Sequence, residues 1–339
     1  MNMTVKVSLI MPAYNIEAEI KRSIESVLNQ TYSNIELIII DDGSKDLTPN
    51  IIDQYAKAYD NIIPIHRENG GVFSARIEGI RQATGEFIGF VDGDDYIEPD
   101  MVKQLLENAI EYNADISHCG YQMVFPNGRV DLYYGTGNKL IQDNKKGVVD
   151  LLEAKFIEPG LWNKLYRRAL FEKIRLDELD YSIKINEDLL LNYYLFKESK
   201  CAIYEDKCYY HYMLRENSAA TSTINENKLS DPLKVLKIML KENNPGTTYY
   251  NLILMRLTRQ LITLSTISCR SNAELIRPYK KAAKGELRSR LLSILTCKGC
   301  GRKVKIMAVW GAVLPITLQG VHFLYERCTG LDKKYSIDK

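Results

Sequence analysis

The first third of the chain alternates runs of apolar, β-branched residues with segments of helical apolar spacing, and no other feature limits the fold as much. Val5 to Met11 reads as a buried strand, and Ile16 to Gln30 as a helix with Ile16, Ile20, Ile24, Val27 and Leu28 at the helical period. Ile35 to Ile40 is a second strand, Leu47 to Tyr59 a second helix, and Ile62 to His66 a third strand. Phe73 to Thr84 and Glu86 to Val91 complete the pattern as a third helix and a fourth strand. Strands apolar on both faces and separated by helices predict an α/β fold, a mostly parallel sheet with helices on both faces. In such open sheets ligands bind beyond the carboxyl ends of the strands, so the residues just after each strand are the place to look for chemistry.

Those residues form a coherent set. The first strand ends in Pro12, Ala13, Tyr14 and Asn15; the second in Asp41, Asp42, Gly43 and Ser44; the third is followed by Glu68, Asn69, Gly70 and Gly71; the fourth ends in Asp92, Gly93, Asp94 and Asp95. Taken alone, an Asp-Gly pair at a strand end is a turn. Three carboxylates among the four residues from Asp92 to Asp95 repel one another unless a cation neutralises them, and oxygen-only ligands select a hard divalent ion, Mg²⁺ or Mn²⁺. A helix-capping role for Asp95, ahead of the segment opened by Pro99, accounts for only one of the three.

The blocks VSLIMPAYN, IDDGSKD, ENGGVFSAR, VDGDD, WNKLYRR and NEDLLLNYYLF follow one another in an order that resembles the family 2 glycosyltransferases, over Val7 to about Ser218. The resemblance implies a GT-A fold and an inverting enzyme. Such an enzyme moves a sugar from a nucleotide diphosphate, a UDP-sugar here, to a hydroxyl of a glycan or lipid-linked acceptor in surface polysaccharide synthesis. It implies that Pro12, Ala13 and Asp42 meet the base, with Asp42 accepting the ring N–H of uracil, and that Asn69 and Arg76 hold the nucleotide. Asp92 then meets ribose or metal, and Asp94 is the principal metal ligand. Asp188 becomes the base that deprotonates the acceptor, with Glu187 holding the acceptor or its neighbours. A metal-binding role falls to His211, and contacts to diphosphate or acceptor fall to Arg215, Ser218, Trp162, Lys164 and Asp95.

Several of these positions have a plainer alternative. Asn186, Glu187 and Asp188 also suit the capped start of a helix, where a carboxylate pKa falls, whereas a general base works best with a raised one. His211 lies within Tyr209, Tyr210 and Tyr212 and can equally be packed among aromatics, and Gly160 to Lys164 can be a loop with a buried Trp. A nucleotidyltransferase would need a Gly-rich basic loop near the first strand, which Pro12 to Glu19 lack. A catalytically dead sugar-nucleotide scaffold is disfavoured because Asp94 and Asp188 are both present.

A transferase domain is therefore expected over residues 1–224 and a helical region over 225–339. Leu229 to Leu240 and Tyr249 to Ile267 have helical spacing, with Asn243 to Gly246 as the break between them. From Ser271 to Lys339 there are 14 Lys and Arg against 5 Asp and Glu, whereas residues 1–270 carry 31 against 38. Arg302 to Tyr325 mixes these cations with apolar residues and suits a helix at an anionic membrane surface. The alternative is a terminal helix covering the catalytic domain or a partner chain in a homo-oligomer. No aromatic-and-basic recognition motif accompanies the tail, so nucleic acid is not an expected partner. Seven cysteines scattered over the chain fit reduced thiols. Cys297 and Cys300, with His322 and Cys328, make only a weak zinc pattern. Without an apolar leader or a long apolar span, the chain is expected in the cytoplasm, peripheral on the inner face of the plasma membrane.

Overall fold

In the computed structural model, residues 5–133, 135–215, 223–269, 272–314, 317–318 and 320–321 are described. The first seven elements are β1 (Val7–Ala13), α1 (Ile20–Leu28), β2 (Ile35–Asp41), α2 (Thr48–Ala58), β3 (Ile62–His66), α3 (Val72–Gln82) and β4 (Phe87–Phe90). β1 pairs in parallel with β2 and β4, and β2 in parallel with β3. Every residue of β1 and β2 is buried, because both faces of these strands are covered. Val7, Leu9 and Met11 pack on one face with Ile20 and Ile24 of α1, while Ile10 meets Gly79 of α3 on the other.

The next elements widen the sheet. They are β5 (Tyr96–Ile97), α4 (Met101–Glu111), β6 (Ile116–Val124), β7 (Val130–Tyr133), β8 (Lys139–Gln142), α5 (Asn144–Glu153), β9 (Lys164–Arg167), α6 (Ala169–Glu172), α7 (Glu187–Glu198) and β10 (Ala202–Met213). The strand order is β3-β2-β1-β4-β9-β6-β10-β5, with β7 on β6 and β8 on β10. β9 runs against both β4 and β6, and β6 is parallel to β10. Two reversals across β9 restore the direction of β4 in β6 and β10, so six strands point one way and their carboxyl ends share one edge. The expected α/β architecture is present; β5 to β9 are strands that the apolar pattern did not predict.

The sheet carries one buried ionic network away from that edge. Glu36 on β2 accepts hydrogen bonds from the hydroxyl of Ser8 (2.5 Å) and the backbone N–H of Thr84 (2.7 Å), and pairs with Lys6 (2.5 Å). Burial alone would raise its pKa, but the bonds from Lys6, Ser8 and Thr84 outweigh it and hold the carboxyl at about 2.

The contacts of the chain divide it into Met1–Arg215 and Glu216–Lys339. The second unit is helical: α8 (Glu226–Lys241), α9 (Thr248–Thr266), α10 (Ala273–Ser289), α11 (Leu291–Thr296) and α12 (Arg302–Val313). Asn225 caps α8 through Lys228 N–H, and Thr247 caps α9 through Tyr250 N–H. α9 is the central helix, packed on α8, α10 and α12. The helix expected from Arg302 to Tyr325 ends at Val313, two residues before Pro315, as a residue that disfavours helix for its predecessor requires. His322 and Cys328 lie outside the described residues. Cys297 and Cys300 are buried free thiols.

Because the depressed Glu36 pKa stabilises the fold only while the carboxyl is ionised, its contribution is complete above about pH 4.3 and fades as pH falls toward 2. Glu36→Gln should cost on the order of 1–2 kcal/mol at pH 7, since water screens the half-exposed Lys6, and progressively less in acid. Urea unfolding of both proteins at pH 7 and pH 3 measures the difference, and an equal loss at both values contradicts this assignment.

Candidate active site

The loops after β2 and β3 are tied together before any ligand is considered. Asp42 accepts the N–H groups of Gly70 (2.9 Å) and Gly71 (2.7 Å), with the Arg67 Nε at 3.3 Å, and is buried. Gly43 has φ +78°, and a Cβ there would lie 2.9 Å from the backbone nitrogen of Asn69, so only glycine lets the two loops meet. Gly71, at φ +89°, has a conformation that favours glycine, and it lies beside Lys184, whose ammonium donates to the carbonyl of Gly70 (2.6 Å). Asp41 accepts from Ser44 N–H (3.0 Å) and pairs with Nδ1 of His66 (3.0 Å). Its hydrogen bond, then that to Asp53, raises the His66 pKa against partial burial. Pro12 and Ala13 are buried at the end of β1, and Asn69 is exposed on the rim. Asp42 Oδ1 is shared between Gly70 N–H and Arg67, whereas Oδ2 keeps one acceptor position beyond its bond from Gly71.

The loop after β4 is pinned from both sides. From α1, Arg22 donates to the carbonyl of Asp94 (2.6 Å), and Ser23 donates to the carbonyls of Gly93 (2.8 Å) and Asp95. From β10, the Tyr210 hydroxyl donates to Asp95 (2.7 Å) and accepts from Asp92 N–H (3.1 Å), while Met213 N–H donates to Asp95 (2.7 Å). Asp95 is therefore an internal anchor and not a helix cap; the residue before α4 is Asp100, which makes no side-chain cap bond. Burial, then the charges of Asp94 and Asp92, push the Asp95 carboxyl well above the usual range, which suits an acid held among neutral donors. Asp94 pairs with Arg215, which also lies 3.7 Å from Glu19. Burial raises the Asp94 pKa, with Arg215 acting against it and Asp92 reinforcing it.

Arg76 joins this loop to the distant acidic block. It projects from α3, is buried, and donates through Nη2 to Asp92 (2.8 Å) and through Nη1 to Glu187 (2.9 Å). Burial opposes its charge, but Asp92 and Glu187 more than offset this and raise its pKa. Asn186 adopts the left-handed conformation (φ 67°), tolerated by Asn, and turns the chain into α7 at Glu187. Its side chain makes no cap bond; Asp188 accepts the N–H of Leu189 (2.7 Å). Burial, then Asp188, push Glu187 up to about 8 against the pull of Arg76. Burial also raises Asp188, opposed first by Arg76. The lowering expected at a helix start is overridden, because several carboxylates share one guanidinium in a poorly solvated pocket.

The remaining candidates divide. Lys164 is fully buried and donates to the carbonyls of Glu158 (2.8 Å) and Gly160 (2.6 Å) and to Asn163 Oδ1 (2.6 Å). All three of its protons are engaged in holding the loop before β9, and burial lowers its pKa to about 8. Trp162 stacks on Tyr210 at 4.4 Å and meets Tyr121 edge-on at 4.9 Å. His211 stacks on Tyr96 at 4.0 Å, and its ring contacts Glu98 (2.5 Å) and Gln122. It is packed among these groups and is not gathered with Asp92 and Asp94. Ser218 lies outside the described residues.

Among the described residues, no three His, Cys, Asp or Glu side chains converge as a protein-only metal cage. A hard divalent ion bound with a nucleotide takes one or two carboxylates and completes its shell with phosphate oxygens and water. Asp94 and Asp92 fit that donor set. Arg22, Lys184 and Tyr210 were missed in the sequence; they have no local motif, and Tyr210 acts on a loop 115 residues away.

An acidic strand end and a helix-borne carboxylate pair bridged by a buried arginine, on a mostly parallel sheet, place the first unit in the class of GT-A α/β proteins. Residues 8–175 match the profile of Glycosyl transferase family 2, and the first unit belongs to that family. The glycosyltransferase GlyA of Streptococcus pneumoniae serotype 4 is 32% identical over 63% of this chain and 31% of its own length. The uncharacterized glycosyltransferase EpsJ of Bacillus subtilis (strain 168) is 38% identical over 62% of each chain. This chain thus spans less than two thirds of either relative. Among solved structures, S. aureus TarS 1–349 in complex with UDP superposes with a TM-score of 0.67, at 21% identity over 95% of this chain and 91% of that one. The same protein with UDP-GlcNAc gives 0.66 at 21% identity.

Removing the guanidinium by Arg76→Met should cost about 3–5 kcal/mol at about pH 9, since it strands Asp92, Glu187 and Asp188 together. The loss should shrink toward pH 5, where protonation of the raised carboxylates relieves their repulsion. Denaturant unfolding at the two pH values tests this; a loss independent of pH would point to packing alone.

Proposed function

We propose that the chain transfers a sugar from a UDP-sugar to a hydroxyl of a glycan or lipid-linked acceptor, with inversion at the anomeric carbon, in the synthesis of a surface polysaccharide. The observation that carries this reading is the Arg76 bridge, which holds the acidic loop after β4 and the Glu187-Asp188 pair at one site. The UDP-bound and UDP-GlcNAc-bound forms of TarS support the choice of donor.

In this reading the loops closed by Asp42 on Gly70 and Gly71 form the nucleotide end, with Asn69 on its rim. Asp94 and Asp92 would hold Mn²⁺ or Mg²⁺, which would supply Lewis-acid stabilisation of the charge that builds on the leaving diphosphate. Arg215 brings a guanidinium to the same side through its pair with Asp94. Asp188 takes the proton of the acceptor hydroxyl as that oxygen bonds to the anomeric carbon, and the bond to the diphosphate breaks with its electron pair leaving on UDP. Attack opposite the leaving group inverts the centre. Burial keeps Asp188 basic enough for this role, and Glu187, fixed by Arg76, sets the position of the pair.

UDP release from a panel of UDP-sugars, with candidate acceptors and Mn²⁺, should identify one donor and stop on chelation. Asp188→Asn should lower kcat at least about 100-fold while leaving UDP binding intact, and Asp94→Asn should weaken UDP binding in Mn²⁺. Release that survives chelation and both substitutions contradicts the mechanism. Because the Asp188 pKa is raised, kcat/KM should climb with pH through a value above the ordinary Asp range; a flat profile down to pH 4 removes Asp188 as the base.

A further inference from the structure

We infer that the helical unit carries a docking surface for an anionic lipid bilayer, built on α12 and α11 and independent of the transfer chemistry. α12 has its residue sizes reversed for a helix packed on a protein core. Its inner face is made of Ala308, Gly311 and Ala312 with Val304, all buried, whereas Ile306 (64% exposed) and Val313 (62%) point outward. Leu314, just past the helix end, and Leu292 on α11 are 58% and 76% exposed. Between the two helices lies a groove of about 520 Å³ lined by Leu295, Ile306, Val309, Trp310, Val313 and Leu314, with Lys305 at its side. A soluble face is expected to break up such a patch with polar residues.

The charge along this segment of the sequence has one sign. From Leu287 to Tyr325 the sequence holds six Lys and Arg and no Asp or Glu. Three of the six, Arg302, Lys303 and Lys305, stand in the first turns of α12, and Arg302 and Lys303 are exposed. Cations there oppose the helix dipole and weaken the helix, so their placement is not explained by its stability. Together with the helix N–H groups they form a surface that attracts phosphate.

Exposed apolar side chains beside cations fit a bilayer interface, where Ile and Val enter the acyl boundary and Lys and Arg meet anionic headgroups. α12, at 12 residues, is about 18 Å long against a hydrocarbon core of about 30 Å, so it lies on the bilayer and does not cross it. Among the described residues no helix is long and apolar enough to cross a membrane. A second copy of this chain is the poorer occupant, because a two-fold contact sets the same patch against itself and brings its cations together.

Sedimentation of the full chain with vesicles tests the surface. Binding should be seen with vesicles of phosphatidylglycerol and phosphatidylcholine, be much weaker with phosphatidylcholine alone, and fall as salt rises. Lys303→Glu with Lys305→Glu should weaken it roughly tenfold or more, and Ile306→Ser with Val313→Ser should also weaken it, while UDP binding and circular dichroism stay unchanged. No binding, or binding indifferent to vesicle charge and to the lysine pair, overturns the proposal. So does binding that emerges only after removal of residues 322–339, which would mean that the chain's own end covers the face. Loss of a dimer in the apolar variant with vesicle binding unaltered would assign the face to self-association instead.

Discussion

A single buried guanidinium sets the terms for the first unit. Arg76 sits on α3 between Asp92 and Glu187, residues that no local element brings together, and holds both at hydrogen-bond distance. A buried arginine without carboxylates is not tolerated, and carboxylates so crowded need the arginine. Each side of the site therefore requires the other, and the acidic loop and the start of α7 become one object. Burial, reinforced by neighbouring carboxylates and opposed by Arg76 and Arg215, raises the carboxyls of Asp94, Glu187 and Asp188.

The sheet makes this possible by its direction. β4, β6 and β10 run the same way despite the reversed β9 between β4 and β6, and the chain leaving β4 pairs as β5 on β10, so the loop after β4 meets the end of β10. Tyr210 and Met213 then reach Asp95 and fix the loop that presents Asp92 and Asp94. Rigid support of this kind is what a site that must position two substrates requires.

The βα alternation up to β4 was legible because fully buried strands and amphipathic helices leave distinct periods, and the strand-end acids were legible because the topology assigns them one edge. β5 has two residues, too few for a period, and β9 begins with a buried lysine that resembles a loop residue in sequence. The roles of individual polar residues were less accessible. Lys164 is bound to three oxygens of its own loop, His211 is held by Glu98, Gln122 and Tyr96, and Asp95 points at Tyr210. Such partnerships depend on tertiary neighbours, whereas sequence specifies only that a donor or acceptor is present. In the helical unit the mixture of cations and apolar residues was visible in sequence, but only the packing of Ala308, Gly311 and Ala312 shows which face of α12 turns outward.

The most direct test of a single site uniting nucleotide and base is a crystal structure with UDP and Mn²⁺, with the metal located by its anomalous signal. A peak is expected against Asp94 and the diphosphate, with the uracil near Asp42 and the Asp188 carboxylate in the same cleft with room for a hexose between. A nucleotide bound in another cleft, or a metal with no carboxylate of the acidic loop among its ligands, would contradict it.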